Sequence, residues 1–391
     1  MTAAALPALH RPGPRAVALA IGLAGLVLTG VGIIIDPRQA YASWLAAFAA
    51  GLSVALGALI LVAATHLTGA RWFDPLRGLA LDIAATLPLF ALFFLVLVPG
   101  MARLYPWVGA PWPANRTYLN PPFFLARAAI YFAVWIAVAF LLRRWALLRS
   151  PEAARPPAGR ERALAAASLP ALGFTGTFAA FDWLMSLAPA WVSTVFGVYW
   201  FAGGFLGALA AVAVAGFAAS SAGTARARIG PDQAYALGAL MITFVIFWGY
   251  IAYCQYLIVW IADVPAEVAW YLPRVRGGWG TVALVLLVGH LALPFLVLVF
   301  HAAKTSWTVL ALVAAWLLVM HYLDTYWIVL PQLHPRGIVA HWLDLSALAG
   351  VAGTAAAWAM WVRERGRFRM RPPAHGAAAA PRGESRGAAG A

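Results

Sequence analysis

Long apolar runs separated by short polar segments fill most of the chain. Reading each run as a helix bounded by charge, proline or glycine predicts ten helices. Each run has at least about 20 residues, enough to cross a hydrocarbon layer of roughly 30 Å at about 1.5 Å per residue. The predicted helices cover residues 16–35, 40–65, 77–99, 122–142, 163–187, 191–219, 232–262, 279–301, 305–330 and 336–361. The pattern therefore predicts an all-α, polytopic membrane protein.

Composition supports the same class. Hydrophobic residues make up 64% of the 391 residues and charged residues 10%, whereas a soluble domain has roughly 25% charged residues. The first run follows Arg11 and Arg15 and resembles a signal peptide in that respect. It is too long for a signal-peptide core and lacks a small-residue cleavage site, so we expect a retained first helix.

The distribution of positive charge predicts the topology. The formal net charge is +14, and nearly all of the 27 basic residues are arginines in short loops or in the C-terminal tail. The N-terminus, the even-numbered turns and the tail hold 20 of them, and the opposite side holds 7. By the positive-inside rule both termini are cytoplasmic, and this distribution fits topology better than nucleic-acid binding. We expect a cytoplasmic N-terminus at 1–15, a membrane domain at 16–363 and a disordered basic tail at 364–391.

Two longer loops on the opposite side, at 100–121 and 262–278, are rich in large aromatic residues. The aromatic residues in or next to these loops are Trp107, Trp112, Trp270, Tyr271 and Trp279. They fit either an aromatic belt at the membrane interface or a surface on which a partner docks. The sequence leaves both interpretations open.

Ionisable residues within the predicted helices are few. Each costs at least roughly 2.5 kcal/mol in hydrocarbon by insertion scales, so it needs a partner, a cavity or a function. On the predicted topology several polar residues fall within about two turns of the outer helix ends, at one depth. The polar candidates are Asp182, Gln255, Tyr256, His321, Asp324, His341 and Asp344, with His290 closer to the middle of its helix.

Their spacing suggests proton transfer. His321 and Asp324 are three residues apart, hence on one helix face, and His341 and Asp344 repeat that spacing. Such a pair can hold a proton and pass it on. Carboxylates and imidazoles beside aromatic rings suit a quinone head group and its protons. His290 fits an inward extension of the proton path or, as a lone membrane histidine, a hydrogen bond between helices.

Cysteine usage limits the redox chemistry of the chain. The only cysteine, Cys254, lies inside an apolar run. We therefore expect no covalent haem attachment, iron–sulfur cluster or zinc–thiolate site. Haem b needs histidines at matching depth on facing helices, and His290, His321 and His341 match poorly. Electron carriers of these kinds are expected on partner chains.

Four segments of the second half resemble a known family. They are FDWLMSLAPAWVSTVFGVYWFAGGF at 181–205, FWGYIAYCQYLIVWIADVPAEVAWY at 247–271, VGHLALPF at 288–295 and HYLDTYWIVLP at 321–331. In this order they resemble the NrfD/PsrC-like membrane subunits of alternative complex III, and among them the second large subunit, ActF. The chain has Ala188 and Ala190 where relatives usually carry an acidic residue and a histidine.

The resemblance implies a membrane subunit of a quinol:electron-acceptor oxidoreductase in the bacterial inner membrane. It implies two four-helix bundles, helices 2–5 and 6–9, flanked by helices 1 and 10. The ligand would be a quinone, menaquinone or ubiquinone, with no haem or iron–sulfur cluster on this chain. Partners would be a second NrfD-like membrane subunit, periplasmic iron–sulfur and haem c subunits, and membrane lipid. The productive quinol site could lie on this subunit or on its paralogue.

A secondary transporter is the alternative from another functional class. Transporters of that kind carry polar groups and broken helices near the bilayer midplane, in both halves of the chain. His290 would supply the polar group, and Pro88 and Pro294 are the only hints of helix breaks. The first half has no ionisable residue at matching depth.

Overall fold

The computed structural model describes residues 12–109, 116–148, 159–221 and 229–369, and these ranges contain helices and no strand. Within these ranges, ten helices are long and apolar enough to cross a membrane. They are α1 (Pro14–Ile35), α2 (Pro37–Thr68), α3 (Arg71–Leu104), α4 (Pro121–Ala146), α5 (Gly159–Leu187), α6 (Phe196–Ser221), α7 (Pro231–Ala262), α8 (Trp279–Leu298), α9 (Trp307–Gln332) and α10 (Trp342–Gly366). The predicted fold class is confirmed: the chain is a multi-pass helical membrane protein.

Three helix starts differ from the prediction by five or six residues. The third helix begins at Arg71 instead of residue 77. The tenth helix begins at Trp342 instead of residue 336, and the sixth at Phe196 instead of residue 191. The chain before α10 is a loop, held by a hydrogen bond of 2.9 Å from the Trp279 indole to the carbonyl of His334. The tenth helix continues to Arg369, and the rest of the expected disordered tail lies outside the described residues.

The helices pack as two four-membered rings. Helices α2 to α5 contact one another in sequence and close through α2 and α5, and α6 to α9 close through α6 and α9. Helix α1 packs along α10, and α10 rests on α2 and α3. Helix α2 is the centre, with contacts to both rings and to the flanking pair, and residues 39–50 are all buried. A helix that is apolar on every side belongs in such a central position.

Glycines set the distances at the contact between the two rings. A side chain on Gly57 of α2 would lie 2.6 Å from the carbonyl oxygen of Gly204 on α6. A side chain on Gly204 would lie 2.5 Å from the Cβ of Ser53. Small residues allow two membrane helices to approach this closely, and dispersion over the contact then stabilises the pair. Ser53 is thereby held next to the second ring.

Two helices are interrupted. Helix α3 turns at Ala85 and Thr86, just before Pro88, and α8 contains a π-helical segment, Leu287–Ala292, just before Pro294. Proline lacks the N–H that would bond the carbonyl four residues earlier, so each interruption leaves backbone groups to be satisfied elsewhere. A tryptophan on a neighbouring helix supplies a donor at each one: Trp358 bonds the Ala85 carbonyl at 2.9 Å, and Trp316 bonds the Gly289 carbonyl at 2.7 Å.

The flanking pair offers a test of the packing. A side chain on Gly25 of α1 would lie 2.3 Å from the backbone nitrogen of Gly350 on α10. A side chain on Gly30 of the same helix would have no atom within 4 Å apart from its own helix backbone. We expect Gly25→Leu to lower the free energy of unfolding by about 1–3 kcal/mol, the usual cost of overpacking. Denaturant unfolding in mixed micelles measures this free energy. Gly30→Leu is the matched control, and an equal loss in both variants would contradict the close contact between α1 and α10.

Candidate functional site

His321 and Asp324 lie side by side on the buried face of α9. The Asp324 carboxylate accepts hydrogen bonds from the hydroxyl of Tyr199 on α6 and, at 3.1 Å, from the indole of Trp248 on α7. Nε2 of His321 is 2.8 Å from the hydroxyl of Ser53 on α2. Both side chains are almost fully buried. Four helices thus build one polar group in the middle of the bundle, hereafter the central group.

Glycines on α6 make room for this pair. A side chain on Gly203 would lie 3.1 Å from Nδ1 of His321 and 3.5 Å from a carboxylate oxygen of Asp324. A side chain on Gly207 would lie 3.2 Å from the His321 ring. The imidazole and the carboxylate therefore rest directly on the α6 backbone. Nδ1 of His321 has no hydrogen-bond partner among the described residues.

His290 adjoins the central group through stacking. Its ring lies 4.0 Å from the ring of Trp248, centroid to centroid, on the side of α7 that faces α8. It is fully buried, and neither ring nitrogen has a hydrogen-bond partner within the described ranges. The residue sits in the π-helical segment of α8, a feature that often occurs at functional sites. An unpaired buried imidazole is costly, so His290 is a candidate for binding a further hydrogen-bonding group.

A cavity of about 580 Å³ reaches His321. It lies among α2, α3, α6, α9 and α10 and is almost entirely apolar, with many alanines in its wall. His321 and Tyr322 line it on α9, and Asp82 and Arg363 line it on α3 and α10. Its volume is in the range of small-molecule sites in proteins. We call it the first cavity.

Asp182 belongs to a separate group. Arg127 on α4 binds it with two hydrogen bonds of 2.9 Å each, and the hydroxyl of Tyr131 adds a third of 2.8 Å. The guanidinium also bonds the carbonyl of Tyr118 and lies 3.8 Å from that tyrosine's ring centroid. With both oxygens occupied, this pair fastens α4 to α5. Burial and the nearby Asp182 carboxylate raise the pKa of Tyr118 above its usual value.

Asp344 forms a third group near the start of α10. Its carboxylate accepts hydrogen bonds from Ser43 at 2.5 Å, from Gln39 at 3.0 Å and from Tyr326 at 3.2 Å. The backbone N–H of His341 adds a bond of 3.3 Å. This network connects α2, α9 and α10 and shares no hydrogen bond with the central group in the described part of the chain.

His341 differs from its expected place. It precedes α10 instead of lying on it, so its spacing from Asp344 is that of a turn entering a helix. Its Nδ1 accepts a hydrogen bond from the backbone N–H of Leu343 at 3.2 Å. This arrangement satisfies N–H groups at the helix start. The imidazole that does join the Asp344 network is His334, whose Nε2 is 2.6 Å from Gln39.

Gln255 and Tyr256 lie apart from the central group as well. Gln255 is buried; it donates to the Tyr271 hydroxyl at 3.2 Å and accepts from the Ser193 hydroxyl at 3.2 Å. Tyr256 is 44% exposed on the outside of the bundle. Burial raises the pKa of Tyr271 to about 12. The predicted cluster is therefore distributed over four places. His321 and Asp324 adjoin His290, whereas Asp182, the His341–Asp344 pair and the Gln255–Tyr256 pair each lie elsewhere.

The aromatic residues of the two longer loops are mostly buried. Trp107, Trp270, Tyr271 and Trp279 are each at most 8% exposed, and Trp112 lies outside the described residues. Because these four rings are buried inside the protein, they form neither an aromatic belt at the membrane interface nor an exposed docking surface. Trp270 stacks on Trp191 with ring centroids 4.2 Å apart.

Arg274, on the short helix Pro265–Val275, is fully buried beside Trp270. It bonds the carbonyls of Trp270 and Ile328 at 2.6 and 2.5 Å, and burial lowers its pKa to about 9. It ties this helix to the end of α9.

Sequence reasoning missed Ser53, Tyr199, Trp248 and Arg127. Arg127 had a usable signal, because it lies inside the predicted fourth helix, where a charge needs a partner. The other three are ordinary hydroxyl and indole side chains in apolar runs. No period or spacing distinguishes them from residues that pack without a hydrogen-bonding role.

The Arg127–Asp182 pair can be tested by removing one or both partners. We expect Arg127→Met to lower the free energy of unfolding by about 3–5 kcal/mol, because it leaves a buried carboxylate without its cation. The double variant Arg127→Met, Asp182→Leu should recover most of that loss, since an apolar pair leaves no unpaired charge. Denaturant unfolding of the three proteins measures this. A double variant no more stable than the single one would refute the role.

No protein-family model and no curated protein sequence matches the chain.

Proposed function

We propose that the chain is a quinone-binding and proton-transferring subunit of a respiratory quinol:electron-acceptor oxidoreductase of the alternative complex III type. One observation carries the proposal. An apolar cavity of about 580 Å³ has His321 in its wall, one helical turn from the buried Asp324. A lipid-soluble ring fits a cavity of this size and polarity, with the His321 side chain in its wall.

The residues of the central group would handle protons. Oxidation of a quinol releases two protons and two electrons, and the electrons pass to another carrier. His321 is placed to accept a proton at Nδ1, which has no partner among the described residues, while Ser53 holds Nε2 at 2.8 Å. Asp324 is placed to take a proton next, because the two side chains share one face of α9. Tyr199 and Trp248 fix the carboxylate in position.

His290 extends this group away from the first cavity. It stacks on Trp248, which itself donates to Asp324. Neither of its nitrogens reaches a hydrogen-bond partner in the described ranges, so a proton path through it needs an intervening hydrogen-bonding molecule such as water. Gln255, Tyr256, His341 and Asp344 take no part in this proposal; they position the surrounding helices or face outward.

The proposed setting is a bacterial inner membrane with both termini in the cytoplasm. The charge distribution supports the cytoplasmic termini, and the resemblance supports the choice of membrane. With one cysteine in the chain, electrons would pass to carriers on partner chains. The resemblance implies that these partners are iron–sulfur and haem c subunits on the periplasmic side. A second NrfD-like membrane subunit and membrane lipid complete the proposed partners.

Secondary transport is the weaker candidate. The helix interruptions in α3 and α8 suit a transporter, since such breaks commonly aim free backbone groups at a substrate. Here tryptophans bond the carbonyls of Ala85 and Gly289. The carbonyls at the interruptions are therefore bonded within the protein and do not face a shared polar cavity.

A substitution at Asp324 tests the proton role. Asp324→Asn keeps an oxygen for Tyr199 but cannot ionise, so we expect quinol oxidation by the assembled complex to slow roughly 10²-fold, in line with loss of a general base. Steady-state turnover with a short-tailed quinol measures it. Tyr105→Phe is the control, because Tyr105 is a buried residue whose hydroxyl bonds the Trp183 carbonyl. Unchanged turnover in an intact Asp324→Asn complex would contradict the assignment.

A second test decides which subunit holds the productive site. His321→Gln alters a side chain in the wall of the first cavity. We expect it to weaken binding of a quinone-site inhibitor to the purified complex, with assembly unchanged. Equal inhibitor affinity in both complexes would place the productive site on the paralogous subunit.

A further inference from the structure

The first cavity is long and opens sideways toward lipid. Along α10 its lining residues run from Leu348 to Arg363, a distance of roughly 22 Å at about 1.5 Å per residue. None of its lining residues on α2 or α3 is exposed, whereas Ala218 on α6, Val319 on α9 and Ala352 on α10 are exposed. The mouth of the cavity therefore lies between α10 on one side and α6 with α9 on the other.

Hydrogen bonds between helices close other sides of this cavity. Toward the start of α10, the Tyr322 hydroxyl donates to the Asp344 carbonyl at 3.0 Å and so bridges α9 and α10. Toward α3, the Trp358 indole of α10 bonds the Ala85 carbonyl at 2.9 Å. A molecule that resides in the membrane therefore has a lateral route into the cavity through the mouth.

The end of the cavity at Arg363 is positively charged. Arg143 on α4 donates to the Asp82 carboxylate at 2.7 Å and to the Val362 carbonyl at 3.1 Å. Asp82 and Arg363 both line the cavity, so two guanidiniums and one carboxylate meet here and leave a net positive charge. This end lies on the side of the bundle where α1 begins and α10 ends, and the positive-inside rule places that side in the cytoplasm.

Between Arg363 and His321 the wall of the cavity is apolar. It consists mostly of alanine and larger aliphatic side chains. The hydroxyl of Thr86, which borders it, donates to the Ile83 carbonyl at 2.6 Å, and that of Tyr322 is bonded as described above. A hydrocarbon chain needs no hydrogen bond from such a wall. One leaflet of hydrocarbon is about 15 Å thick, half of the roughly 30 Å core, so the cavity is long enough for an acyl chain.

A second cavity, of about 510 Å³, lies among α2, α5 and α6, on another face of α2. Ser53, whose hydroxyl is 2.8 Å from Nε2 of His321, lines it. No charged residue is among its lining residues in the described part of the chain. Its wall therefore carries no charge that would select one class of lipid, whereas the wall of the first cavity does.

We propose that the first cavity binds an anionic phospholipid of the leaflet nearest Arg363, with one acyl chain along α10 and the phosphate at the Arg363 guanidinium. Guanidinium groups bind phosphate through charge-assisted hydrogen bonds. Basic pockets between membrane helices on the cytoplasmic side bind anionic head groups in this way. The lipid would share the cavity with the ring ligand proposed above and would compete with it. The lipid site does not rest on that function, since shape, exposure and charge support it.

The test uses the full chain in phosphatidylcholine nanodiscs that contain a phosphatidylglycerol with a photoreactive diazirine in one acyl chain. Labelled residues are mapped by mass spectrometry. We expect label at 318–319 on α9 and within 352–359 on α10, and its removal by excess unlabelled phosphatidylglycerol. Ala355→Phe, in the cavity wall, should abolish the label. Gly78→Phe should keep it, because Gly78 lines neither cavity and a side chain there would meet no atom within 4 Å outside its own helix backbone.

A pair of charge variants tests the phosphate contact. Arg363→Gln should weaken displacement of the label by phosphatidylglycerol roughly tenfold or more, as for loss of a hydrogen bond to a charged group. Arg365→Gln is the matched control, because Arg365 lies at the same end of α10 but over the Trp361 ring, 4.0 Å from its centroid, and outside the cavity wall. It should weaken displacement much less. Equal weakening in both variants would indicate general attraction to a basic surface and would overturn the site.

Two further outcomes would overturn the proposal. Label spread evenly over the lipid-facing residues, unchanged in Ala355→Phe, would show that the lipid does not enter the cavity. Displacement by oleate as effective as that by phosphatidylglycerol would assign the cavity to a fatty acid instead of a phospholipid. Inhibitor binding to the His321→Gln complex reports the proposed function separately, so either proposal can fail while the other stands.

Discussion

Polar groups buried in a bundle that hydrocarbon surrounds must find their partners inside the protein. In this chain that requirement is met helix against helix. Asp182 is held by Arg127, Asp344 by Gln39 and Ser43, and Asp324 by Tyr199 and Trp248. Each carboxylate therefore joins at least two helices. The buried polar residues therefore hold helices together. Proton chemistry can use only those polar atoms that these hydrogen bonds leave without a partner.

The central group differs from the other two in what remains unsatisfied. The Asp182 and Asp344 carboxylates each accept three side-chain hydrogen bonds. His321 and His290, in contrast, keep ring nitrogens without partners in the described ranges. One of these imidazoles also lines a cavity. Unpaired imidazole nitrogens cost stability wherever they are buried. Because they occur next to Asp324, the central group is a candidate for proton transfer, whereas the Asp182 and Asp344 groups have the satisfied hydrogen bonds of structural contacts.

Close packing around α2 makes this arrangement possible. Glycines on α6 allow His321 and Asp324 to rest on its backbone, and Gly57 brings α2 near enough for Ser53 to reach the imidazole. The same small residues leave space on two faces of α2, where the cavities lie. A larger residue at Gly203 would press on both members of the pair. Packing and chemistry at this site are therefore not separable.

The amino-acid sequence by itself determined the ten membrane helices and the residues that are costly in hydrocarbon, because helix length and side-chain charge are local properties. It also placed His321 and Asp324 on one face, since their spacing is that of one helical turn. Only the tertiary structure decided which helices meet. In the structure Asp182 pairs with Arg127, His341 precedes the tenth helix, and Ser53 lies between two cavities. The sequence could not show this, because periodicity identifies the face of a helix but not the helix that packs against it.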